Sequence, residues 1–136
     1  KIFSKLSQGV TNAKYFNQAA RTVACIAEIL GRANIPPQKI KTGFYILAPE
    51  SQISSGIFNK EIQEASILKT VNRRVAEYGG EKDQWLADWF EPTLKNITLG
   101  CLSWEKIIAE ITMVDPALGV EIDEFYQHCI QFNGKI

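Results

Sequence analysis

One short apolar segment limits the folds that this 136-residue chain can adopt. Residues 42–49 read Thr-Gly-Phe-Tyr-Ile-Leu-Ala-Pro, a run rich in aromatic and β-branched side chains that proline closes. The run is too short for a core helix and is apolar on both faces, which is typical of a central strand buried between neighbours. We therefore predict a buried strand over residues 43–49.

The most regular helical pattern lies upstream of this strand. Thr11 or Asn12 can cap a helix by accepting a backbone N–H, and Gly31 can end it in the left-handed conformation. Between these residues one apolar stripe recurs at three- and four-residue spacing, which predicts a helix. The stripe consists of Phe16, Ala19, Ala20, Val23, Ile26, Ala27 and Leu30.

Further helical patterns follow the strand. Residues 50–59 are polar and are predicted to form a loop. Apolar residues then recur at helical spacing from Ile62 to Tyr78 and predict a second helix, which Gly79-Gly80 stops. A third, short helix is predicted around Trp85 and Trp89, and it is expected to end before Pro92.

The C-terminal part carries two more helices with recognisable starts. Residues 97–102 could form a short strand or an extended connection, and we favour the connection. Ser103 is a predicted N-cap with Glu105 in the first turn, and Asp115-Pro116 pairs a cap with proline at the first helical position. The predicted fold is α/β or α+β: about five helices with a small sheet around the strand at 43–49.

Length and composition fit one domain with an ordinary core. With 46% hydrophobic residues, residues 1–136 can form a single domain without disulfide staples. The scattered cysteines Cys25, Cys101 and Cys129 fit a reducing, cytoplasmic setting. No run approaches the roughly 18–20 apolar residues that a membrane span needs. The start at Lys1, without Met, and the scarcity of partners for the strand lead us to expect the C-terminal fragment of a longer protein.

Charge is divided unequally along the chain. Residues 1–60 hold eight Lys/Arg against two Asp/Glu, whereas residues 61–136 hold seven against thirteen, although the total is zero. Such a division favours a basic surface that faces a polyanion, with the acidic part in solvent. It excludes neither an enzyme nor a binding module.

Several kinds of active site find little support in the sequence. His128 and Cys129 are adjacent on a predicted helix, so their side chains point about 100° apart and do not form a nucleophile pair. The cysteines lack the paired spacing of a zinc site, and no phosphate-binding glycine motif occurs. The acids of residues 61–91 lie on polar helix faces, where charge is usually solvated.

Two basic groups remain as candidate phosphate ligands. Arginine and amide side chains bind backbone phosphates without reading sequence. One group lies on the first helix and one on the second. The nucleic-acid-binding candidates are Lys14, Arg21, Lys69, Arg73 and Arg74, and Gln18 lies one turn from Arg21.

Three segments of residues 1–50 together match a known pattern. They are Lys1-Ile2-Phe3-Ser4-Lys5-Leu6-Ser7, Asn17-Gln18-Ala19-Ala20-Arg21 and Gly43-Phe44-Tyr45-Ile46-Leu47-Ala48-Pro49. In this order they resemble the C-terminal half of restriction-endonuclease-like proteins, the PD-(D/E)xK nuclease superfamily. In that superfamily a strand ends in an acid-x-Lys motif, a helix that often bears a glutamine crosses the sheet, and an apolar strand follows. The later helices look like a family-specific addition.

The resemblance implies a metal-dependent deoxyribonuclease as the parent protein. Lys1 would be the motif lysine and Gln18 the helix glutamine, and the family's acids would hold Mg²⁺ for phosphodiester cleavage. Those acids would precede Lys1, and residues 1–50 offer only Glu28 and Glu50 as replacements. The active site is therefore incomplete, and we expect this chain alone to be catalytically inert, with DNA as a partner.

A second hypothesis is a non-enzymatic helical interaction module. In this interpretation the segment with Trp85 and Trp89, or the acidic half of the chain, docks a protein partner or a second copy of the chain. An exposed tryptophan patch would favour this function, because large apolar patches usually mark contacts. Neither hypothesis involves a membrane.

Overall fold

The computed structural model describes residues 6, 7, 9 and 11–133. It is mostly helical with a small two-stranded parallel sheet, so the coarse α+β prediction is confirmed. The elements in chain order are α1 (Gln18–Ala33), a 3₁₀ turn (Pro37–Lys39), β1 (Gly43–Ala48), α2 (Glu50–Ser54), α3 (Glu64–Ala76), α4 (Asp83–Trp85), a π-helical segment (Leu86–Phe90), α5 (Glu91–Asn96), β2 (Thr98–Ser103), α6 (Trp104–Val114) and α7 (Pro116–Asn133).

The chain forms two compact units. The larger unit comprises residues 6–44 and 59–100, and the smaller unit, in its described part, comprises residues 45–58 and 101–133. Among the described residues, no helix is both long enough and apolar enough to cross a membrane. The first described residue is Leu6, so Lys1, the predicted motif lysine, lies outside the described residues.

The core of the larger unit is built around α1. This helix contacts both α3 and the π-helical segment, and α3 also contacts α5. The α1 face that enters the core consists mostly of small residues, which lets the neighbouring helices approach closely. The buried side chains of this core include Ala19, Ala20, Val23, Ala27, Leu30, Ile67, Val71, Val75, Phe90 and Leu94.

The predicted ends of α1 are each displaced by a few residues. Its N-cap is Asn17, whose side chain accepts a hydrogen bond from the Ala20 amide at 3.0 Å. The helix continues past Gly31 to Ala33, and Asn34 takes the left-handed conformation with φ of 51°. Gly31 instead allows α1 to lie close to the Trp89 ring, because a Cβ at this position would be only 3.2 Å from that ring.

The prediction that the third helix ends before Pro92 is wrong. Helical structure runs through residues 83–96, and the turn just before the proline is π-helical. Proline removes an amide donor and crowds the carbonyl four residues earlier, and a widened turn relieves both problems. The same widening brings residues five apart toward one face, so Trp85 stacks on Phe90 with ring centroids 5.7 Å apart.

Three predictions around the sheet also need correction. Residues 98–103 form the strand β2, which pairs with β1, rather than the extended connection that was favoured. The strand predicted at 43–49 ends at Ala48, and only one of its faces is covered: Phe44 and Ile46 are buried, whereas Tyr45 is 54% exposed. Residues 50–54, predicted as loop, form the short helix α2.

The smaller unit contains a helical hairpin of α6 and α7. Both predicted caps are present: the Ser103 hydroxyl accepts from the Lys106 amide at 3.2 Å, and Asp115 Oδ1 accepts from the Leu118 amide at 3.1 Å. The two helices lie close to each other at Gly119 of α7, where a Cβ would be 2.6 Å from the Cα of Thr112 in α6. Farther along α7, the buried Tyr126 packs beside Trp104.

Substituting Gly119 by alanine is expected to destabilise the protein even though alanine favours helix. The new methyl group would overlap backbone atoms of Thr112, and such overpacking costs about 1–3 kcal/mol. Urea unfolding followed by circular dichroism would measure this loss. Val120→Ala, at the neighbouring exposed position, is the control and should change stability by less than about 0.5 kcal/mol. Equal stability of both variants would contradict the close helix contact.

Candidate nucleic-acid interface

Three exposed cations lie on two segments of the larger unit that a half-buried aromatic ring connects. Lys69 and Arg73 lie one turn apart on α3, and both are exposed. The Arg73 guanidinium carbon lies 3.7 Å from the centroid of the Tyr15 ring, and Lys14 is exposed beside that tyrosine. We call Lys14, Tyr15, Lys69 and Arg73 the basic strip.

The segment that supplies Lys14 and Tyr15 is held by its own backbone. The Phe16 amide donates to the Ala13 carbonyl at 2.9 Å, and the Gly9 amide donates to the Lys14 carbonyl at 3.0 Å. Ala13 is buried, which anchors the turn in the core. The position of Lys14 is therefore set by packing rather than by the charge itself.

Arg74 differs from its neighbour because its charge is compensated. Its guanidinium donates to the Glu77 carboxylate and, at 3.4 Å, to the Tyr78 hydroxyl. The Tyr15 hydroxyl donates to the other carboxylate oxygen of Glu77. These two hydrogen bonds, that of Tyr15 first, lower the pKa of Glu77, and the bond from Arg74 to Glu77 raises the pKa of that arginine. Arg74 is thus a structural cation at the edge of the strip.

The side chains of Gln18 and Arg21 are connected through the hydroxyl group of Ser7, to which both are hydrogen-bonded. The Ser7 hydroxyl donates to Gln18 Oε1 at 3.2 Å and accepts from Arg21 Nη2 at 3.3 Å. Arg21 Nε is buried and has no hydrogen-bond partner within the described part of the chain. Both side chains are partly buried at the start of α1. The pairing of Gln18 with Lys1 in a catalytic site stays a prediction, since Lys1 lies outside the described residues.

The residues present do not fit the magnesium ion that the nuclease resemblance implies. Nowhere in residues 6, 7, 9 and 11–133 do three or more His, Cys, Asp or Glu side chains converge as a cation site requires. The two acids of residues 1–50 are engaged elsewhere. Glu28 pairs with Arg32 at 2.8 Å, and Glu50 accepts from the Ser54 hydroxyl at 3.2 Å.

A cavity beside the basic strip was not predicted. It has a volume of about 320 Å³, and its walls come from the turn before α1, from α1, from α3, from the connection between α3 and α4, and from α4. Because these segments are far apart along the chain, no local signal in the sequence marks the cavity. The lining residues are Ala13, Phe16, Glu28, Val71, Arg74, Val75, Tyr78, Lys82 and Trp85.

The tryptophans do not form an exposed patch. Trp85 and Trp89 are each partly buried, Trp85 against Phe90 and Trp89 against Gly31. A group of exposed apolar side chains lies instead on the α6–α7 hairpin. The exposed members are Met113, Val114, Leu118, Val120, Phe125 and Phe132.

Comparison with known proteins gives no relative. No protein-family model, curated protein or solved structure matches the chain. The nuclease relationship suggested by residues 1–50 therefore stays a prediction.

Replacing Glu77 by glutamine is expected to lower the melting temperature more at pH 7 than at pH 3. The pKa of Glu77 in the folded protein lies below its ordinary value of 4.5, so its stabilising bonds are present above pH 4.5 and are lost as the pH falls through the folded-state pKa. A loss of up to about 4 °C at pH 7 would be measured by calorimetry. Glu81→Gln is the exposed control, and an equal loss at both pH values would contradict the assignment.

Proposed function

We propose that this chain is the nucleic-acid-contacting part of a nuclease-like protein and that the basic strip binds the phosphate backbone. The observation that carries the proposal is the contact between Tyr15 and Arg73. It joins the turn that bears Lys14 to the α3 face that bears Lys69, so cations from two distant segments share one surface.

The chemistry of the strip suits phosphate. Within the described residues, neither Lys14 nor Lys69 forms an ion pair, so both charges are available to an anion. Arg73 stacks on Tyr15 with its guanidinium face, which leaves the N–H groups at its edge free to donate to phosphate oxygens. Contacts of this kind position a nucleic acid without reading its sequence.

The resemblance of residues 1–50 to the PD-(D/E)xK nucleases supports DNA as the ligand. In the proposed parent protein, Gln18 and Lys1 would act with acids and Mg²⁺ that the described residues do not supply. We therefore expect this chain to bind DNA without cleaving it. Arg21 and Arg74 would support the site indirectly, because each is committed to neighbours within the fold.

Neutralising the basic strip is expected to weaken DNA binding and its dependence on salt. The triple variant Lys14→Gln, Lys69→Gln, Arg73→Gln removes up to three phosphate contacts. The slope of log K against log[salt] should then become less steep by about 2.7, and affinity should fall about tenfold or more at 0.1 M salt. Fluorescence anisotropy with a labelled DNA duplex would measure both quantities.

The matched control is Lys39→Gln, Lys41→Gln, Lys60→Gln. It removes the same charge from exposed positions of the same unit. Its slope should stay close to that of the unmodified chain. Equal effects of the two triple variants would show that binding follows net charge rather than the strip, and the proposal would be withdrawn.

We propose as a second candidate that the smaller unit docks a basic amphipathic helix of another protein. Two adjoining hollows of about 400 and 440 Å³ lie along α6 and the start of α7, and both are lined by Glu110 and Ile111. The apolar side chains Ile107, Ile111, Val114 and Leu118 recur there at four- and three-residue spacing, which is the spacing that a docked helix presents in return.

Charge selects the kind of helix that would dock. Residues 45–58 and 101–136 hold seven Asp/Glu but only Lys106 and Lys135 as cations. Glu110 and Asp115 line the hollows, while Lys106 forms an ion pair with Glu50 at 3.7 Å. A partner helix flanked by lysine or arginine would be favoured, and a second copy of the same acidic hairpin would be repelled.

A synthetic amphipathic helix tests this candidate. A leucine-striped peptide with lysine flanks should bind to the chain, and the same peptide with glutamate flanks should not. Val114→Asp should weaken binding about tenfold, because it places a charge in the apolar surface. Val120→Asp, exposed but outside the hollows, is the control. Self-association that Val114→Asp abolishes would assign the surface to a second copy instead.

A further inference from the structure

The cavity beside the basic strip combines aromatic walls with cations. Phe16, Tyr78 and Trp85 line it together with Arg74 and Lys82. A volume of about 320 Å³ is at the lower end of the range for small-molecule sites. Aromatic walls favour a flat ring. The charge of Arg74 is compensated by Glu77, so Lys82 is the lining residue that favours a ligand with negative charge beside that ring.

Lys82 at the cavity has no partner for its charge within the described part of the chain. It is exposed and forms no ion pair with any residue that the structure describes. Its ammonium group is therefore available to a phosphate of a ligand whose ring lies in the cavity.

The cavity and the basic strip are continuous along the chain. Phe16 directly follows Tyr15, and Arg74 directly follows Arg73. The Glu77 carboxylate also links the two, since it accepts from Tyr15 of the strip and from Arg74 of the cavity wall. A nucleic-acid strand whose phosphates lie on the strip would therefore have its bases near the cavity. The contact between Tyr15 and Arg73 holds the two segments together at this point.

We infer that the cavity accepts one unpaired nucleobase of a single-stranded nucleic acid, whose neighbouring phosphates lie on Lys82 and the basic strip. The inference rests on the proposed function and narrows its substrate class to single strands. In a duplex the bases are stacked and paired, and inserting one would require its extrusion from the helix. Stacking on aromatic side chains tolerates any base, so a preference for strand state rather than sequence is expected.

Three ligands of equal length distinguish the contribution of the base to the affinity from that of the phosphates. They are a 12-nucleotide single strand, the same strand in a duplex, and an abasic strand. The complete chain should bind the single strand about 5-fold to 100-fold more tightly than the abasic strand. The double variant Tyr78→Ala, Lys82→Gln should reduce the affinity for the base-bearing strand more than that for the abasic strand. Tyr45→Ala, Lys95→Gln is the matched control, since both of its sites are exposed and lie outside the cavity.

The outcomes distinguish this inference from the function on which it rests. Equal affinity for base-bearing and abasic strands, or equal losses in the cavity variant and its control, would overturn the inference and leave phosphate binding by the strip intact. Absence of binding to all three ligands would overturn both. Binding of free adenosine 5′-monophosphate without binding of any strand would assign the cavity to a free nucleotide and likewise overturn the inference. Circular dichroism of each variant establishes that it is folded.

Discussion

The close packing of α1 against α3 is the constraint on which the larger unit depends. Ala20, Val23 and Ala27 are fully buried on α1, and side chains this small allow α3 to approach closely. That approach places Arg73 against the ring of Tyr15 and sets two walls of the adjacent cavity. If larger side chains separated the two helices, the strip and the cavity would be lost together.

Neighbouring side chains decide which charges can meet a ligand. Arg73 and Arg74 are adjacent in sequence, yet one stacks on an aromatic ring and the other is bound to Glu77 and Tyr78. The proposed binding of phosphate depends on this difference. Within the residues that the structure describes, Arg73 has free N–H donors for a polyanion, whereas Arg74 is bound to neighbouring side chains and stabilises the surface. The acidic hairpin of the smaller unit would attract the opposite kind of partner by the same physical principle.

Local patterns predicted the long helices well and the sheet less well. The apolar periodicity of α1 and α3, and the caps at Ser103 and Asp115, depend on residues a few positions apart, and these predictions are confirmed. For strand β2 the extended connection was favoured over the strand, because pairing with β1 is a distant interaction. The helix through Pro92 was missed because a π-helical turn and the packing of Phe90, rather than propensity, sustain it.

The sequence by itself determined the helix periods, the capping residues and the number and placement of the charges, because each of these follows from the covalent order of neighbouring residues. Only the tertiary structure decided that Tyr15 meets Arg73, that Arg74 is neutralised, and that Phe16, Tyr78 and Trp85 line one cavity. The physical reason is that the availability of a charge or a ring depends on burial and on partners, and these come from segments far apart along the chain.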